Sequence, residues 1–216
     1  MNIGVFDSGV GGLSVAQAIE KAMPEATVIF RTDPEHFPYS SRTPAELIGF
    51  VVPVLESMVV NDGCEVIVIA CNTVSTTIVN TLRKLISVPL IAMEPMVKPA
   101  AGLTKSGVIA VCATPTTLAS ERYQWLKSSY APNAVVIEPD CSDWSAMIER
   151  NEVDRGMLTS RLAASLDAGA DVIVLGCTHY HWIEDEIRAI AGDRAIVLQP
   201  EQAVMEQLKR VLGQLT

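Results

Sequence analysis

Two stretches of this 216-residue chain repeat one another, EVIVIAC at 65–71 and DVIVLGC at 171–177, at an offset of 106 that pairs Glu65 with Asp171 and Cys71 with Cys177. In each, four consecutive aliphatic residues without polar alternation predict a strand buried on both faces, the kind found in parallel sheets covered by helices. In open α/β sheets, ligands bind beyond the carboxyl ends of such strands. Both cysteines fall there, each followed by small polar residues (Asn72 and Thr73; Thr178 and His179).

The rest of the chain alternates strand and helix patterns. NIGVF at 2–6 stops at Asp7 and Ser8, and Gly9, Gly11 and Gly12 form a turn before a helical pattern that runs through Ala22. A strand over 26–30 leads into RTDPEHFPYSSRTP, whose prolines and polar residues predict an exposed loop with Tyr39 and Ser40 as candidate ligand contacts. Thr43, with Glu46 three residues on, predicts a capped helix to about Val60. Helices are expected over 74–86, 144–150, 152–168, 182–190 and 201–212, and strands over 89–93, 107–112, 134–137 and 195–198. The offset recurs outside the cysteine strands, where Ser8 falls on Thr114 and Gly11 on Thr117.

This alternation predicts an α/β protein of two similar parallel-sheet domains, each with strand order 2-1-3-4, related by a pseudo-twofold axis. The boundaries read as residues 1–95 plus 201–216 for the first domain and 96–200 for the second. The active site is expected in the cleft between them, with one cysteine on each wall.

Composition narrows the partners. With 49% hydrophobic and 19% charged residues the chain is globular, and 25 acidic against 16 basic residues give a net charge of −9. No basic stripe interleaved with aromatics is present, so no nucleic-acid partner is expected. No apolar run approaches the roughly 18 residues of a membrane span, and the start lacks a signal-peptide pattern, so a cytoplasmic protein is expected. The five cysteines have neither disulfide-scaffold nor paired CxxC spacing and are expected as reduced thiols. Cys177 and His179 match no common zinc spacing, and the glycine turn only partly matches a dinucleotide fingerprint.

Two identical acid–base groups on opposite faces of one small molecule suit stereoinversion at carbon: a thiolate takes a proton from one side while a thiol delivers one to the other. A thiol with an unperturbed pKa of about 8.5 is within reach of this work near neutrality. His179, two residues beyond Cys177, is positioned to exchange a proton with it, and Asp7 is the corresponding candidate beside Cys71. His36 and His181 read as surface residues.

IGVFDSGVGGLSV, DPEHFPYSS, ACNTVS, MEPMVKPA, ATPTTLAS and GCTHY occur in this order along the chain, which thereby resembles the cofactor-independent aspartate/glutamate racemase family. The resemblance implies a two-domain α/β isomerase, possible as a homodimer, that interconverts L- and D-glutamate without cofactor or metal and supplies D-glutamate for peptidoglycan. It implies that Cys71 and Cys177 are the acid–base thiols and that Asp7 and His179 assist them. Ser8, Asn72, Thr73, Thr114, Thr117 and Thr178 would bind the substrate, Pro38, Tyr39 and Ser40 would line its cleft, and Glu149 would lie near its ammonium. The family's PYG and HYP are PYS and HYH here, at Ser40 and His181. An aspartate or other small acidic amino-acid racemase, a non-catalytic small-anion binding protein and a thiol redox protein are the alternative readings.

Overall fold

The first apolar run folds as β1 (Asn2–Asp7) and passes through a 3-10 turn at Val10–Gly12 into α1 (Leu13–Ala22). In this computed structural model, which describes residues 1–215, there follow β2 (Thr27–Thr32), α2 (Pro44–Val60), β3 (Val66–Ile69), α3 (Asn72–Thr77), α4 (Val79–Leu85) and β4 (Leu90–Ala92). The pattern then restarts with α5 (Val97–Leu103), β5 (Val108–Ala113), α6 (Pro115–Ala119), α7 (Glu121–Tyr130) and β6 (Val135–Ile137). It continues with α8 (Trp144–Glu149), α9 (Arg155–Asp167), β7 (Val172–Gly176), α10 (Glu184–Ala191), β8 (Ile196–Leu198) and α11 (Glu201–Leu215).

The strands form two four-stranded sheets, ordered β2-β1-β3-β4 and β6-β5-β7-β8. Every pairing is parallel, with Ile3 opposite Val66 in the first sheet and Ile109 opposite Val172 in the second. The predicted two-sheet α/β architecture and its strand order are therefore observed. The repeat spacing holds across the sheets: β5 falls on β1, β7 on β3 and β8 on β4.

The chain divides into two compact units, one comprising Met1–Met93 and the segment from Pro200 onward, the other Glu94–Gln199. Each sheet is covered on both faces, which explains the uninterrupted apolar strands. In the first unit one face packs on α2, through Leu47, Val51 and Leu55, and the other on α1 and α11, through Val15, Ile19 and Leu208. In the second, Leu158, Leu162 and Ile187 cover one face and Val97, Tyr123 and Leu126 the other.

Several local expectations need revision. The helix expected over 74–86 is broken at Ile78, whose φ of −128° and ψ of 0° lie outside the helical region. The stretch after Cys177 is a 3-10 helix (Thr178–Ile183) before α10 begins, and α9 starts only at Arg155, where Asp154 accepts from Gly156 N and Met157 N. The loop after β2 is less exposed than its prolines suggest, because Asp33 and Tyr39 are buried within it. His36 and His181 are both half-buried rather than on the surface. The His36 ring stacks on Phe50 at 3.8 Å and its Nδ1 lies 2.8 Å from Asp33. No helix among the described residues is long and apolar enough to cross a membrane.

Candidate active site

Adjacency in the first sheet sets the first half of the site. Because β1 and β3 are neighbours, their carboxyl ends bring Asp7 and Ser8 beside Cys71. The Cys71 thiol lies 3.7 Å from Ser8 Oγ and is oriented to donate to it. Asp7 is fully buried, and its Oδ2 accepts from Gly12 N at 2.8 Å. That bond closes the turn, and a Cβ on Gly12 would lie 2.6 Å from Asp7 Cβ, so only glycine lets the turn come this close.

Cys71 is extended and caps α3, whose first residues Asn72 and Thr73 are buried. Neither Nδ2 nor Oδ1 of Asn72 has a hydrogen-bond partner among the described residues. A buried carboxamide with donor and acceptor both unengaged is uncommon in folded proteins and marks a place where a polar ligand would satisfy it. Behind it, Ser75 Oγ donates to Ile69 O at 3.2 Å and accepts from Met93 N at 3.1 Å, which ties α3 to the ends of β3 and β4.

The loop after β2 supplies Tyr39. The Phe37–Pro38 peptide is cis, Pro38 and Ser40 are half-buried, and the Tyr39 hydroxyl donates to Asp33 Oδ2 at 2.6 Å. Burial, and next the Asp33 carboxylate, push the Tyr39 phenol well above its usual range, with further upward contributions from Cys71 and Asp7 nearby. Tyr39 therefore serves this site as a neutral phenol.

The second unit repeats the arrangement with different side chains. β5 neighbours β7, so Thr114 and Cys177 emerge from adjacent strands. Thr114 caps α6 by accepting from Thr117 N at 3.3 Å, and its own hydroxyl donates to Thr117 Oγ1 at 3.0 Å. Cys177 Sγ lies 3.9 Å from His179 Nδ1, and His179 Nε2 lies 2.8 Å from Glu149 Oε1. Thiol, imidazole and carboxylate thus form a line, with Cys177, Thr178 and His179 all buried. Such a line lets the imidazole exchange a proton with sulfur while the carboxylate stabilises the imidazolium.

Glu149, read from the sequence as lying near a substrate ammonium, has its Oε1 on His179. Ser145 was not anticipated, yet its Oγ lies 3.5 Å from Cys177 Sγ. The signal was present, since Ser145 and Glu149 are four residues apart in a predicted helix and so share one face.

The remaining cysteines are poorly suited to chemistry. Burial raises the Cys64 thiol, and a hydrogen bond with Cys112, followed by burial, raises that of Cys141. Raised thiols in apolar surroundings are inert. Among the described residues no group of three or more His, Cys, Asp or Glu side chains could hold a metal ion.

Comparison with known proteins bears on this geometry. The sequence pattern of the Asp/Glu/Hydantoin racemase family matches residues 5–208. A glutamate racemase of Ralstonia pickettii (strain 12J) is 39% identical over 215 residues, covering 98% of this chain and 76% of its own. The crystal structure of Escherichia coli glutamate racemase in complex with L-glutamate and the activator UDP-MurNAc-ala superposes with a TM-score of 0.91 at 27% identity, over 98% of this chain and 82% of that one. The glutamate racemase of Francisella tularensis subsp. tularensis SCHU S4, in complex with D-glutamate, gives a TM-score of 0.83 at 26% identity over 99% and 81%.

Proposed function

Because the chain belongs to the Asp/Glu/Hydantoin racemase family and is an amino-acid racemase, we propose that it interconverts L- and D-glutamate by proton transfer between Cys71, Cys177 and the substrate α-carbon. The observation that carries this reading is the matched placement of two thiols, each just beyond the third strand of its sheet and each with its own polar partner. Relatives named glutamate racemase at up to 39% identity support glutamate as the substrate.

In each direction, one cysteine as thiolate removes the α-proton and becomes a thiol. The other, as thiol, gives its proton to the opposite face of the carbon and becomes the thiolate. The reverse reaction exchanges their roles, so the two groups need the same chemistry. This mechanism requires the thiols to address opposite faces of one carbon. His179, held by Glu149, moves protons to and from Cys177, and Asp7 assists at Cys71. Asn72 offers its amide to the substrate, and Ser8, Thr73, Thr114, Thr117 and Thr178 offer their hydroxyls, while Pro38, Tyr39 and Ser40 line the substrate site. In the cytoplasm, the product D-glutamate would supply peptidoglycan synthesis.

The test is incubation with each enantiomer of glutamate and aspartate in heavy water without added cofactor. Circular dichroism follows inversion and NMR follows deuterium at the α-carbon. Glutamate should invert and take up deuterium, and Cys71→Ala and Cys177→Ala should each abolish inversion. Inversion that survives either substitution refutes the two-thiol mechanism, and turnover of aspartate alone replaces the substrate.

A further inference from the structure

The environment of Cys177 contains a group that its proton relay does not use. Ser145 is buried on α8, with its Oγ 3.5 Å from Cys177 Sγ. Near it is the phenol of Tyr180, on which the serine hydroxyl acts; Tyr180 is fully buried, donates its own proton to Cys141 O at 2.9 Å and packs edge-on against Trp144. The Tyr180 oxygen is thereby committed as donor in one direction and can still accept in another. A serine hydroxyl has one proton and two lone pairs and rotates to suit its neighbours.

We propose that Ser145 is a positioning residue for Cys177, its hydroxyl rotating between sulfur and the Tyr180 oxygen as the sulfur changes protonation state. When Cys177 is a thiol, S–H donates to Ser145 Oγ and the serine O–H donates to Tyr180. When Cys177 is a thiolate, the serine O–H turns to the sulfur. No proton leaves the serine in either state; only the direction of its O–H changes. The arrangement suits a group that exists in both forms in every cycle, because each form finds a partner without movement of heavy atoms. α8 then governs both members of the thiol–imidazole pair, through Ser145 on Cys177 and Glu149 on His179. Cys71 has a serine at a similar distance, Ser8, but that serine comes from the glycine turn.

Other titratable groups around Cys177 are His179 with Glu149 behind it, His181 beside His179, and the buried Cys112, Cys141 and Tyr180. Burial, then the nearby cysteines, keep the Tyr180 phenol well above its usual range, so it remains neutral as the rotation requires. His179 and Ser145 approach the sulfur from different elements, and their effects are separable by substitution.

This inference rests on Cys177 being an acid–base thiol, but its test does not depend on turnover. In a Cys71→Ala background, the rate of iodoacetamide alkylation at Cys177 is measured by peptide mapping at fixed neutral pH. Ser145→Thr keeps the hydroxyl, whereas Ser145→Val has nearly the same shape without it. A hydrogen bond to a charged group corresponds to about tenfold or more in an equilibrium. Valine should slow alkylation by about tenfold while threonine stays within about twofold of the parent. Ser145→Ala, which only removes the hydroxyl, should match valine and serves if valine disturbs folding. Equal rates for threonine and valine, or a parental rate for alanine, overturn the proposal. With Cys71 present, kcat should follow the same order with KM little changed. Racemisation that is absent while alkylation still depends on the hydroxyl would count against the proposed function and leave the role of Ser145 standing.

Discussion

Cys71 and Cys177 present the same atom in different surroundings, and the difference predicts how each half of the site fails. At Cys177 the imidazole of His179 is held by a carboxylate oxygen of Glu149 at 2.8 Å. Glu149→Gln keeps the shape and an acceptor but removes the charge that favours the imidazolium. Loss of that assistance should lower kcat by about a hundredfold, at the low end of general acid–base contributions, with KM little affected. Initial rates in both directions test this, and an unchanged kcat would mean that His179 needs no charged partner.

His181 sets a pH limit. Burial, followed by the charge of His179, lowers its pKa from 6.5 to about 4, and its Nε2 is buried. Between these values the unfolded chain binds a proton that the folded chain refuses, so stability rises with pH and is lost as pH falls from 6.5 toward 4. The loss is at most about 3 kcal/mol. His181→Asn should flatten the melting temperature across this window, and an unaltered slope would assign the acid sensitivity to other groups. From sequence the cysteines and His179 were legible because their chemistry coincides with a strand end. His181 read as surface because nothing local reveals that α8 packs against the turn containing it, and Ser145 was passed over because an isolated serine carries no pattern.

At the scale of elements, β3 and its successors hold the first thiol in place. Ser75 bridges the ends of two strands with one hydroxyl that both donates and accepts in the buried interior. Ser75→Ala strands part of that bonding and should cost about 1 to 3 kcal/mol, or a drop of roughly 2 to 4 °C in melting temperature per kcal/mol for a chain of this size. Calorimetry checks this, and a shift below 1 °C would show that backbone relaxation compensates. The strands were readable from their aliphatic runs and the constant repeat. Helix limits were less so, because the break at Ile78 and the 3-10 form of Thr178–Ile183 answer to tertiary packing rather than to periodicity. Helices α5 and α7 escaped notice because short or mostly polar segments carry little apolar rhythm.

For the whole molecule, the division into units makes α11 the completing piece of the first sheet. Its Val204 and Leu208 are buried against that sheet, with Met205, Val211 and Leu212 packed beside them. Burying one large aliphatic side chain is worth about 1.5 to 3 kcal/mol, and folded proteins have margins of about 5 to 15 kcal/mol. A chain ending at Gln199 should therefore lose the packing of its first unit while the second persists. Amide exchange should show rapid exchange in β1, β3 and β4 but protection in β5 and β7, and equal protection in all five would mean that α11 is dispensable. In the sequence, the second strand–proline break at Gln199-Pro200 echoes Glu94-Pro95, and the division between the units falls at both places.

Translation runs in one direction, and the topology sets the order in which the units can be finished. Domains generally acquire structure as they emerge, at about 5 to 20 residues per second. Here the sheet synthesised first is completed last. Its strands leave the ribosome well before α11, and all of Glu94–Gln199 is made in the interval. The nascent chain therefore passes through a stage in which a finished second unit is tethered to a first unit with one apolar face covered by α1 alone, about five to twenty seconds after β4 is made. During that interval the growing polypeptide would present a binding surface for holdase chaperones that the mature protein hides.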